Sequence, residues 1–124
     1  MTEFKLLHAS LLIADVARSR AFYEGLIGLT PSAARPDLGF PGVWYDLGGG
    51  QIHLICQANP DPVENRPEHG GRDRHTAIGV SNWQALKQIL ADAQVPCTMS
   101  RSGRQVLFCR DPDGNALEFV PLPE

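Results

Sequence analysis

Asp111-Pro112-Asp113-Gly114-Asn115-Ala116-Leu117-Glu118-Phe119-Val120-Pro121 is the stretch from which the fold can be read. Asp-Pro-Asp-Gly is turn chemistry: proline presets φ, the aspartates bond the turn backbone, and glycine takes the positive φ. The runs on either side, Gln105–Arg110 and Asn115–Val120, are short, apolar and partly β-branched or aromatic, so the spacing predicts a β-hairpin. In its second strand Leu117 and Phe119 point one way, and Ala116, Glu118 and Val120 point the other. A carboxylate in the middle of an apolar strand is either an exposed edge residue or a ligand. The choice rests on residues further upstream.

Before this hairpin come an extended piece at Cys97–Ser100 and a helical pattern with Trp83, Leu86, Ile89 and Leu90, capped by Ser81 or Asn82. A strand over Arg74–Val80 precedes the helix. The front of the chain repeats this order. A strand over Leu6–Ile13 is followed by an Asp15 cap, and Val16, Ser19, Phe22, Tyr23, Leu26 and Ile27 then recur at helical spacing until Gly28. Extended pieces follow at Thr30–Ala34 and Val43–Leu47, the second joined through Gly48-Gly49-Gly50 to Gln51–Gln57. The pattern predicts an α+β domain over residues 1–124, built as tandem βαβββ units at 1–57 and 74–124 with a linker at 58–73.

Length and composition agree with one globular domain: 124 residues, 43% hydrophobic and 20% charged. A net charge of −3 gives no footprint for nucleic acid or an anionic membrane. Cys56, Cys97 and Cys109 are odd in number and lack CxxC spacing, which reads as reduced thiols in a cytoplasmic protein. Leu6 to Ala14 superficially resembles an export signal. It is interrupted by His8 and runs straight into a charged amphipathic segment, so the reading is no export and no membrane span.

Repeat position then singles out four polar residues. His8 and His75 lie in the first strands of the two units, and His53 and Glu118 in the last. Strand parity places each on the face that no helix needs, where two curved sheets could form a cup. A single strand histidine is more often structural than a ligand; three of them with a carboxylate, at equivalent positions on equivalent faces, read as a metal set. Imidazole and carboxylate suit Zn, Ni, Mn, Co or Fe, and four protein ligands in a six-coordinate site leave two positions for a substrate with neighbouring oxygens. His69, beside Gly70-Gly71, reads as a surface loop residue.

The motifs Leu7-His8-Ala9-Ser10, Ala21-Phe22-Tyr23-Glu24-Gly25-Leu26-Ile27-Gly28-Leu29, Ile52-His53-Leu54, Arg74-His75-Thr76-Ala77-Ile78 and Asp111 to Phe119 together resemble the vicinal oxygen chelate superfamily over essentially the whole chain. That superfamily includes glyoxalase I, methylmalonyl-CoA epimerase, extradiol dioxygenases, fosfomycin-resistance thiol transferases and bleomycin-binding proteins. The resemblance implies a glyoxalase-like fold with metal ligands at His8, His53, His75 and Glu118. The second position is usually Glu or Gln in glyoxalase-like members, so His53 is a departure that leaves one anionic ligand. The resemblance also implies a homodimer in which His8 and His53 of one protomer meet His75 and Glu118 of the other.

The leading expectation is a metal-dependent lyase or isomerase acting on a small molecule that chelates through two oxygens, with Glu118 as base. Tyr45 or Trp44 would line the pocket, and Arg101 and Arg104, flanking Gly103, would hold an anionic group. The main alternative is an iron dioxygenase using His8, His75 and Glu118 as a two-histidine-one-carboxylate triad. A thiol transferase and a drug-sequestering binding module are further alternatives, the last having no use for three imidazoles and a carboxylate.

Overall fold

The computed structural model describes residues 1–123, and the chain divides into two compact units, Met1–Asn59 and the segment from Pro60 onward. The class is α+β, with one mixed sheet in each unit.

In the first unit, β1 (His8–Ile13) leads into α1 (Val16–Arg20), and a π-helical stretch (Ala21–Ile27) continues the same rod. Asp15 caps the rod, its side chain accepting from the Arg18 amide at 3.0 Å. Gly28 ends it in the left-handed conformation, φ 91°, and donates to the Tyr23 carbonyl five residues back. The sequence pattern predicts a single α-helical run; the wider π turn instead lets the adjacent Phe22 and Tyr23 both turn inward and become buried. β2 (Gly42–Leu47) and β3 (Gly50–Cys56) form a hairpin across a two-residue Gly48-Gly49 turn, Gly48 taking φ 58°. The strand order is β1-β3-β2, with β1 parallel to β3. Ile13, Val43, Tyr45, Ile52 and Leu54 are buried with Phe22 and Tyr23 as the core.

The strand expected at Thr30–Ala34 is reduced to one bridge between Pro31 and Tyr45, with a bond from the Ser32 amide to the Trp44 carbonyl. Pro31 has no N–H with which to extend the ladder, and Pro36 follows closely. The first unit therefore has three strands where four were predicted.

The second unit has β4 (His75–Val80), α2 (Trp83–Asp92), β5 (Cys97–Met99), β6 (Leu107–Arg110) and β7 (Ala116–Pro121) in the order β4-β7-β6-β5. β4 runs parallel to β7 and the other pairs are antiparallel. α2 buries Trp83, Leu86 and Leu90, while Ile89 falls off this stripe and is exposed. Asn82 occupies the N-cap position without a side-chain bond to the helix. The Trp83 indole donates to the Phe119 carbonyl at 2.9 Å, tying the helix to the central strand. The turn before β7 is organised by buried Asp111, whose Oδ1 accepts from the Asp113 and Asn115 amides, both at 2.9 Å, with Gly114 at φ 84°.

The stretch read as a linker has structure of its own. It carries a 3-10 turn at Gly70–Arg72 and ends at Asp73, whose carboxylate accepts from Arg66 at 3.0 Å and Arg110 at 2.9 Å. Arg110 also donates to the Pro67 and Gly114 carbonyls, so one guanidinium joins this segment to both ends of the β6–β7 turn. No helix among the described residues is long and apolar enough to cross a membrane.

Candidate metal centre

The polar face of each sheet carries one pair of the predicted ligands. In the second unit, registration places Phe108 beside Glu118 and Glu118 beside Ala77, with His75 beside Ala116. His75 Nε2 is 3.0 Å from Glu118 Oε1, and His75 Nδ1 is 2.9 Å from the Asp73 carbonyl oxygen. A carbonyl can only accept, so Nδ1 carries the proton. With Nδ1 donating, an Nε2 without a proton would turn its lone pair toward a carboxylate that also offers lone pairs. A cation is needed to remove that repulsion, either a proton on Nε2 or a metal ion bound by both groups. Two ligand atoms about 2.1 Å from one ion stand about 3.0–3.4 Å apart at octahedral or tetrahedral angles. The pair fits that requirement, and the bond to Asp73 is the orienting contact that ligating histidines characteristically have.

In the first unit, Ser10, His53 and Trp44 form one cross-strand row, with His8, Gln51 and Asp46 in the next. The His8 and His53 rings are stacked, with centroids 3.9 Å apart and planes 15° apart, and Trp44 stacks on His53 at 4.0 Å and 4°. A metal ion lies in the plane of an imidazole that binds it. Two nearly parallel planes this far apart do not share such a point, so as stacked His8 and His53 do not fit one ion together. Among the described residues of either unit, no third His, Cys, Asp or Glu completes a cluster with these pairs. Burial is the first cause holding the His53 ring below the usual histidine range, followed by the charges of His8 and Arg35, so the ring is neutral at pH 7.

The expectation that Tyr45 lines a pocket is corrected. Tyr45 pairs with Ile52, on the helix-covered side, and is completely buried. It stacks on Tyr23 at 5.8 Å and donates to Glu24 Oε2 at 2.9 Å. Burial and the Glu24 carboxylate together push its hydroxyl well above the ordinary tyrosine range. Glu24 stays below the carboxylate range because bonds from Arg20 and Tyr45 outweigh the opposing effect of burial. Trp44, the other residue offered for the pocket, is the one on the His53 face. Tyr45→Phe is expected to cost about 1–2 kcal/mol in urea denaturation, since it strips a partner from a partly buried carboxylate, and to leave metal binding unchanged.

His69 is also more than a loop residue. Its Nδ1 lies 2.6 Å from Thr98 Oγ1 and its ring meets the edge of Phe108 at 4.7 Å. Phe108 in turn contacts His75 at 5.4 Å. Sequence reading missed Phe108, Asp73 and Gln51. The parity of Phe108 relative to Glu118 was available once the hairpin register was known. Arg101 is exposed and borders a cleft of about 400 Å³ with Pro67, His69, Arg72 and Thr98. Arg104 does not line that cleft, and its Nε donates to Ser102 Oγ at 3.1 Å.

Comparison with known proteins adds relatives to this geometry. The chain is 29% identical over 117 residues to Glyoxylase I 4 of Arabidopsis thaliana, covering 90% of this chain and 67% of the relative. It is 25% identical over 123 residues to a lactoylglutathione lyase of Haemophilus influenzae, covering 94% and 91%. A glyoxalase family protein from Bacillus anthracis superposes with a TM-score of 0.78 at 22% identity, covering 99% of this chain and 100% of that one. A glyoxalase/dioxygenase from Nostoc punctiforme gives 0.73 at 21% identity, covering 97% and 92%. With the family profile matching residues 5–119, the chain belongs to the Glyoxalase/Bleomycin resistance protein/Dioxygenase superfamily.

Proposed function

We propose that this protein is a divalent-metal-dependent lyase or isomerase acting on a small molecule that chelates through two neighbouring oxygens. The observation that carries the reading is the His75–Glu118 pair, 3.0 Å apart, with the imidazole oriented by Asp73. The relatives named glyoxylase I and lactoylglutathione lyase support it. His75 and Glu118 hold the ion, with His8 or His53 as the contribution of the first unit. Zn, Ni, Mn, Co and Fe all suit this donor set. When bound, such an ion supplies Lewis-acid stabilisation of a developing oxyanion.

The chain's own residues do the rest. Glu118 is the base that takes the proton from the carbon beside the substrate carbonyl. It lies on β7 with the buried Phe108 as its cross-strand neighbour, which shields one side from water. Its side chain is 13% exposed and that of His75 28%, so both can be reached by a small ligand. Arg101, at the rim of the neighbouring cleft, holds an anionic substrate group, with Arg104 on the same turn. We further propose a homodimer in which the stacked His8 and His53 of one protomer meet His75 and Glu118 of the other, with one of the two imidazoles reaching the ion.

A second reading, oxygen chemistry at iron bound by His8, His75 and Glu118, draws support from the His8–His53 stack, which leaves one imidazole of that pair for the ion. Metal content of purified protein, followed by stripping and reloading with each ion, separates the readings. Activity in the lactoylglutathione lyase reaction restored by Ni, Zn, Co or Mn supports the first. Stoichiometric iron with oxygen uptake on catechols supports the second. A protein that takes up no divalent ion from excess would sink both.

A further inference from the structure

The imidazole sandwich of the first unit contains an asymmetry that the ligand pattern alone does not predict. His53 Nε2 lies 2.8 Å from Gln51 Oε1, and Gln51 Nε2 donates to Asp46 Oδ1 at 2.8 Å. A carboxylate accepts and cannot donate, so Asp46 must face the amide nitrogen, and the Gln51 oxygen must face His53. That oxygen in turn accepts from His53, which places the ring proton on Nε2. The chain Asp46–Gln51–His53 thus selects one tautomer.

The ring is also held face to face on both sides. Trp44 covers one face at 4.0 Å and His8 the other at 3.9 Å. His53 is buried, whereas His8 is an exposed residue at the start of an edge strand. A rotation that brought His53 into a shared coordination plane with His8 would break the Gln51 bond and the Trp44 stack together. A rotation of His8 breaks one stacking contact. The exposed ring is therefore the one free to turn toward an ion.

We infer that His53 is a positioning residue and not a metal ligand: Asp46 and Gln51 lock it as the Nε2–H tautomer, and with Trp44 behind it the ring forms a fixed platform against which His8, the ligand of this unit, is set. The inference rests on the metal-binding reading above, and it makes Asp46 and Gln51 second-line determinants of the site.

The test uses wild-type protein labelled with ¹⁵N-histidine, observed through two-bond proton–nitrogen correlations, first metal-free and then with Zn²⁺. The expected result is a His53 ring protonated at Nε2 in both states, with nitrogen shifts that do not move when Zn²⁺ is added. In Gln51→Leu the His53 signals should change to a mixture of tautomers. Zn²⁺ affinity, measured by competition with a chromogenic chelator, should stay within about threefold of wild type in His53→Phe, which keeps a flat ring, and fall at least about thirtyfold in His8→Ala. A metal-free ring protonated at Nδ1, a Zn²⁺-induced shift of a His53 nitrogen, or loss of affinity in His53→Phe equal to that in His8→Ala would overturn it. Wild type that binds no Zn²⁺ would remove the functional reading, while the metal-free tautomer would still decide the lock.

Discussion

Glu118→Gln is expected to lower the affinity for Ni²⁺ or Zn²⁺ at least about 100-fold, or about 2.7 kcal/mol, while changing global stability by less than about 1 kcal/mol. The substitution keeps shape and volume on β7 and removes the only negative charge of the His75 pair. Were the pair no more than an ion pair between protein groups, its loss would matter little for anything except stability, because partly exposed pairs contribute only about 0–1 kcal/mol. As metal ligands, the two groups act together, and replacing the anionic one removes most of the attraction for a dication. Binding isotherms with each ion, run beside urea denaturation, distinguish the two cases. Unchanged metal affinity with reduced stability would assign the pair a purely structural role.

Asp73→Ala should have the largest effect on folding, about 3 kcal/mol at pH 7. The Asp73 carboxylate, with its side chain only 10% exposed, accepts from Arg66 and Arg110 and from the Arg74 amide. Its removal leaves two partly buried guanidinium groups without their anion and releases the 60–74 segment from the second sheet. Burial pushes the carboxyl up, but Arg110, the Arg74 N–H and Arg66 outweigh it and hold the group below the usual aspartate range.

A depressed pKa in the folded state means that the stabilisation is fully present above the unfolded value, about 3.9, and is lost as pH falls through the folded one. The gap between wild type and variant should therefore be wide at pH 5–7 and narrow at lower pH. A gap that stays constant down to pH 2 would show that packing, and not charge, is what Asp73 supplies. Metal affinity should fall as well, by about 10–100-fold, because the main-chain carbonyl of Asp73 that orients the His75 ring is kept by the substitution but loses the side-chain bonds to Arg66 and Arg110 that hold it in place. Asp73→Asn, which keeps the volume, should retain more of that orientation than Asp73→Ala.

Much of this molecule was legible in local chemistry. Asp111 and Gly114 mark a turn because their side-chain and backbone preferences act within five residues, and that turn places β6 against β7. Alternation along β7 puts Leu117 and Phe119 in the core and Glu118 on the opposite face, a consequence of strand geometry that needs no partner. The same parity assigned His8, His53 and His75 to the faces they occupy, and repeat position nominated the four candidates.

What failed in the sequence reading depended on register and on distant partners. A one-residue difference in the Gly48-Gly49 hairpin decides whether Trp44 or Tyr45 shares a face with His53, and composition does not settle that difference. The π turn that buries both Phe22 and Tyr23 answers the core beneath it, a demand that helical periodicity does not encode. Asp73 looks like any loop aspartate until folding brings Arg110 to it from 37 residues away. The stack of His8 on His53 has the same origin: parity places two imidazoles on one face, but whether they point at an ion or lie against each other is decided by Trp44 and Gln51, through contacts that exist only once β1, β2 and β3 have paired. The sequence by itself determined which side chains face which way, because the pleat is a property of each strand. Tertiary structure decided what each of them meets, because that depends on register and packing between strands.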